Sequence, residues 1–151
     1  MGIRRLSAIE RLIIYGCSGF TAEVCFTAAW DAIENGNRRL LGTSSIYIFF
    51  VYGLSIFIIE KLYLRLKGKC RLFPRGLAYI TICYLFEFAF GYFLNIWNAC
   101  PWDYASYFDY HIMGLITMEY IPLWFCSSLF CEQYIIHFAL NIGWIDNDKE
   151  E

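Results

Sequence analysis

Each of four apolar stretches in this chain holds an embedded glutamate: Glu23, Glu60, Glu87 and Glu119, with Glu132 as a fifth. A carboxylic acid inside hydrocarbon is costly, which makes such residues functional-site candidates by default. Counting about 1.5 Å of rise per residue puts Glu23 roughly 20 Å and Glu87 roughly 16 Å above the inner boundary of a bilayer, and Glu119 roughly 10 Å below the outer one. These three share one slab in the middle to outer half of the hydrocarbon. Glu60 falls nearer the inside, where Lys61 and Arg65 can neutralise it, and Glu132 is placed similarly.

No Lys or Arg lies at the level of Glu23, Glu87 and Glu119. Their cost is relieved if they are protonated and hydrogen-bonded, if they line a wet cavity, or if they hold a cation. Polar neighbours are available in Ser18, Thr21, Thr27, Tyr84, Tyr92, Asn95, Thr117 and Tyr120. The segment CPWDY adds Asp103 near the outer mouth of the same slab, between Trp102 and Tyr104. A carboxylate there can cap a turn, close it, or meet an entering ligand. Glu23, Glu87, Asp103 and Glu119 are thus the candidate ligand or ion-binding residues, with Glu60, Trp102, Tyr104 and Asn95 as secondary ones. None has an assigned catalytic role.

Four apolar segments must position these groups, at about 9–30, 45–64, 76–97 and 112–138 of one 151-residue domain. Each reaches the roughly 20 residues that a bilayer crossing requires. A composition 59% hydrophobic and 21% aromatic is too apolar for a water-facing surface. The expected class is therefore an all-α integral membrane four-helix bundle, with the lipid bilayer as its surroundings and the organelle left open. Arg4, Arg5, Arg11, Lys61, Arg65, Lys67, Lys69, Arg71, Arg75 and Lys149 share one face, whereas the other has Arg38 and Arg39. Positive charge stays cytoplasmic, which puts both termini inside. MGIRRLS is not expected to be a removable signal, since no short apolar run with a cleavage site follows it.

Gly16, Gly19 and Ala22 recur at three-residue spacing and form a smooth strip for close helix contact. Pro122 lies inside the fourth segment and is expected to bend that helix. Five of the seven cysteines sit in apolar runs as packing residues. There is no CxxC pair, no basic patch for nucleic acid and no GxxxxGK[ST] nucleotide-binding motif, and no metal or cofactor is assigned.

The strings EVCFTAAW, SIYIFFVYGLSIFIIEKLYLRL, NACPWDY and MGLITMEY, followed by WFC and EQ, resemble the B-like branch of the transmembrane protein 229 family. That family is grouped with bacterial proteins labelled type IV ABC-transporter permeases. The resemblance covers roughly residues 9–141 and implies a multi-pass membrane protein without an assigned activity. Any ATP-driven role implies another chain. On the residues themselves, the leading reading is a small transport or permeation subunit that binds protons or a cation. Four helices hardly enclose a large pore, which favours a homo-oligomer. A membrane-embedded lipid-modifying enzyme and a non-catalytic scaffold with structural acids are the alternatives.

Overall fold

The computed structural model describes residues 2–146, with the side chain of Asp146 left aside. A short strand, β1 (Gly2–Arg5), leads into α1 (Ala8–Asn35). Ser7 starts that helix with a reciprocal capping box: its hydroxyl accepts from the Glu10 amide at 3.3 Å, and Glu10 accepts from the Ser7 amide at 2.6 Å. Gly36, at φ +66°, ends it in the left-handed conformation that glycine tolerates. Ser45 then caps α2 (Ile46–Leu66), and α3 (Leu72–Ile96) carries Pro74 in its first turn, where a missing N–H costs little.

The loop after α3 contains a 3₁₀ turn (Tyr104–Ser106) and a small hairpin, β2 (His111–Ile112) with β3 (Ile116–Thr117). A second 3₁₀ turn (Met118–Tyr120) opens the fourth helix. It continues through α4 (Ile121–Phe130), a π-helical segment (Cys131–Ile136) and α5 (His137–Asn141). Strand β4 (Gly143–Asp146) pairs antiparallel with β1, so the N- and C-terminal segments meet at one end of the bundle. Among the described residues, four helices are long and apolar enough to cross a membrane: Ala8–Asn35, Ile46–Leu66, Leu72–Ile96 and Met118–Asn141.

The helical architecture agrees with the hydropathy pattern, except that α3 starts at Leu72 rather than near 76, and with three further corrections. The fourth helix begins at Met118 rather than near 112, because Met113 and Gly114 both adopt positive φ and close a turn, with the Leu115 amide donating to Ile112 O at 3.0 Å. Pro122, expected in a helix interior, lies in the first turn of α4, where it has no established helical ladder to interrupt. Cys17, Cys25 and Cys126 are exposed rather than packed in the core, with Cys25 on the wall of a cavity.

Packing divides the bundle along its length. In the half nearer the paired termini, Tyr15, Ile56, Ile59, Tyr63, Tyr79, Cys131, Ile136 and Ala139 form the core. Phe50, Leu54, Ile58, Leu85 and Phe93 point outward, as lipid-facing residues do. Helix α1 lies closely on α2, because a Cβ at Gly16 would approach Phe49 Cε2 to 2.6 Å and one at Gly19 would collide with Tyr52 Cβ. Glycines let helix backbones approach where larger residues would hold them apart. The half nearer the 97–117 loop is not filled in this way, and the candidate site lies there.

Candidate functional site

The close approach at Gly19 brings the Tyr52 ring under Glu23, one turn further along α1. The Tyr52 hydroxyl donates to Glu23 Oε2 at 3.0 Å. Glu87 on α3 receives the equivalent bond from the loop: the Tyr104 hydroxyl donates to Oε1 at 2.5 Å. Burial, reinforced by the Glu87 carboxylate, pushes the Tyr104 phenol well above its usual range, which keeps it a donor. Glu87 is 8% exposed, and its second oxygen, Oε2, has no hydrogen-bond partner. The indole Nε1 of Trp124 lies close to this carboxylate and is likewise unpartnered. Buried polar atoms left without partners are rare enough to call for a physical reason.

Glycine also shapes the loop that delivers Tyr104. Gly91 lets Trp102 lie against α3, since a Cβ there would stand 3.0 Å from the indole Cζ2. The Trp102 indole donates to Leu115 O at 3.1 Å, and the Tyr104 amide donates to Gly114 O at 2.8 Å. Asp103 caps the short turn, accepting from the Ala105 amide at 2.9 Å, so its first role is turn chemistry. His111 Nδ1 accepts from the Gly114 amide at 3.0 Å and serves the hairpin. Burial pushes the Cys100 thiol up, and that thiol donates to Trp102 O at 3.3 Å.

A cavity of about 1020 Å³ opens between the helices under this loop. Glu23, Glu87, Asp103, Trp102 and Tyr104 all line it, and Ile56, Ile59 and Cys131 form its floor on top of the core. An aromatic chain runs around one side. Tyr120 meets Phe108 at 4.9 Å, Tyr104 at 5.4 Å and Phe26 at 6.0 Å between ring centroids, and Trp30 meets Phe108 at 6.3 Å. Among the described residues, no Lys, Arg or His lines it beside these acids.

Two of the three deep acids therefore converge, and the third does not. Glu119 sits exposed in the 3₁₀ turn ahead of α4, where it accepts from the Thr117 hydroxyl and from the Tyr110 amide at 3.1 Å. Its expected depth follows from starting the helix at 112, and the hairpin removes those turns. Asn95 is exposed near the end of α3 and is not among the cavity residues.

Glu60 and Glu132 belong to a different structure. Arg11 reaches Glu60 through Nε at 2.7 Å and a terminal nitrogen at 3.1 Å, and donates to Leu6 O at 2.8 Å. The Tyr15 hydroxyl adds 2.6 Å and Lys61 adds 2.9 Å, whereas Arg65, expected to help, is no part of the cluster. Arg75 repeats the pattern on Glu132 with 2.9 and 2.7 Å bonds and donates to Cys70 O at 2.8 Å. Tyr79 and Gln133 complete this second cluster. Bidentate guanidinium–carboxylate pairs of this kind fix geometry as well as charge.

The two clusters expose an internal repeat. Arg11, Tyr15 and Glu23 on α1 match Arg75, Tyr79 and Glu87 on α3 at the same spacing, 64 residues apart. Tyr52, Ser55 and Glu60 match Trp124, Ser127 and Glu132, 72 residues apart. The cavity acids and the aromatic group near each of them thus occupy corresponding positions in two helical hairpins. No family model matches this chain, and no solved structure matches it. Chemically, the arrangement offers two carboxylates and several hydroxyl and indole donors behind an aromatic lid, which suits proton exchange or the holding of positive charge.

Proposed function

We propose that this chain is a multi-pass membrane protein that acts as a small transport or permeation subunit, in which Glu23 and Glu87 bind a proton or a cation. The observation that carries the reading is the meeting of these two carboxylates in one cavity that, among the described residues, no basic side chain lines, with one Glu87 oxygen unpartnered. We place both termini on the cytoplasmic side, since Arg11, Lys61, Arg65, Lys67, Lys69, Arg71 and Arg75 collect toward that end. The cavity then opens toward the other face, below the 97–117 loop. Any bend of the fourth helix belongs at its entry turn, ahead of Pro122. The resemblance to the transmembrane protein 229 family supports a membrane role and leaves the activity open.

A scaffold reading draws on one specific observation, that Glu23 and Glu87 each accept from a tyrosine hydroxyl. Flux measurements in reconstituted vesicles separate the two. Glu23→Gln and Glu87→Gln keep the tyrosine bonds while removing the charge. Permeation predicts that both variants lose proton or cation flux and that Glu119→Gln does not. Undiminished flux through Glu87→Gln ends the permeation reading in favour of the scaffold.

A further inference from the structure

Resting on the carboxylate-site reading above, we infer that the cavity takes a lipophilic organic cation, such as an aromatic phosphonium or quaternary ammonium, rather than an inorganic ion. Size is the first reason. A bare Ca²⁺ or Mg²⁺ needs about six to eight oxygens converging at roughly 2.0–2.6 Å. Among the described residues, no three His, Cys, Asp or Glu side chains converge to hold a metal ion. A space of about 1020 Å³ instead matches a ligand of many heavy atoms.

The wall is the second reason. Phe26, Trp30, Tyr104, Phe108 and Tyr120 present a continuous aromatic surface. Ring faces attract diffuse positive charge, and most strongly where water is excluded. Such a surface also accepts the apolar body of the ligand by simple burial. Charge is the third reason. Among the described residues no basic side chain lines the cavity with these acids, and Glu87 Oε2 has no hydrogen-bond partner. A cation spread over a bulky apolar body satisfies that oxygen without a cage of ligands, and pays less desolvation than a small ion. Corresponding positions of Glu23 and Glu87 in the two hairpins supply a carboxylate from each side.

Binding of tetraphenylphosphonium to the purified full-length protein in detergent tests this, with tetraphenylborate as a probe of the same shape and opposite charge. The expected result is saturable binding of the phosphonium, displaced by unlabelled phosphonium, with no saturable binding of the borate. Glu87→Gln and Glu23→Gln each weaken it by about tenfold or more, the loss of a charged partner. Phe108→Leu weakens it by about two- to fivefold through loss of one ring. Circular dichroism and a monodisperse elution peak establish that each variant is folded, and Phe108→Leu carries the test if an acid variant is not. Equal binding of both probes, or phosphonium affinity unchanged in a folded Glu87→Gln or Phe108→Leu protein, overturns the inference. Glu87-dependent flux of protons or Na⁺ without saturable phosphonium binding overturns it too, while leaving the permeation reading intact. Saturable, acid-dependent phosphonium binding without any flux keeps the inference and removes the permeation reading.

Discussion

The two arginine–glutamate clusters look alike but should not be equally fragile, and the difference can be worked out from their partners. Arg75→Met removes two charge-assisted bonds, at 2.9 and 2.7 Å, from a carboxylate that is 1% exposed. Glu132 then keeps only the neutral donors Tyr79 and Gln133. Stranding a buried charge in this way costs about 3–5 kcal/mol. Arg11→Met strips the same kind of fork from Glu60, which is 0% exposed, but the Lys61 ammonium stays at 2.9 Å. The remaining cation should hold the loss to about 1–2 kcal/mol, near the worth of one hydrogen bond to a charged group. Both arginines also donate at 2.8 Å to a carbonyl five residues earlier, so that contribution cancels in the comparison. Thermal unfolding of the purified protein in one detergent, followed by circular dichroism, gives the two losses side by side. Adding Lys61→Met to Arg11→Met should bring the first cluster down to the level of the second. Equal losses for the two single variants, or a larger one for Arg11→Met, would refute the assignment of Lys61 as the second counter-charge.

Two further outcomes follow from the packing and the loop. Gly19→Ala should cost about 1–3 kcal/mol by overpacking and should loosen the Tyr52–Glu23 bond, whereas Gly16→Ala meets only the far edge of the Phe49 ring and should cost less; thermal unfolding of the two variants checks the order, and equal losses count against the contact. For Tyr104, a phenol pKa raised in the folded state means a contribution to stability that is complete below the ordinary value of about 10 and drains away as pH rises beyond it. Tyrosinate absorbance measured up to about pH 11 should therefore match between the wild type and Tyr104→Phe, and one phenol fewer titrating in the variant would show Tyr104 to be ordinary.

Hydropathy alone located the helices, because a bilayer-length apolar run has few other structures open to it. It also placed Glu23 and Glu87 at a common level, since their helices run in the same direction from the same end and depth can be counted along each. The count failed for Glu119. The run IMGLIT is apolar enough to continue a helix, yet Met113 and Gly114 turn it into a hairpin, and two left-handed residues leave no mark on hydropathy. Helix α3 starts ahead of its apolar run for a related reason: PRG reads as a turn, although Pro74 fits the first turn of a helix. Arg11 and Arg75 were legible as charges but not as partners, because Glu60 and Glu132 lie 49 and 57 residues away from them. The repeated Arg, Tyr and Glu spacing was present in the chain, hidden by two different offsets and by near-total divergence between them.

A chain made of two such hairpins has a natural seam. The connection at residues 67–71 turns through Gly68, at φ +79°, and each side of it carries its own arginine clasp and its own cavity acid. The β1–β4 pair stitches the first hairpin to the second at the same end, so the partition has a fastening that does not depend on the covalent link. Expressed together as separate polypeptides, 1–68 and 69–151 therefore have what they need to find each other and rebuild the enclosed space, each fragment contributing one wall of it.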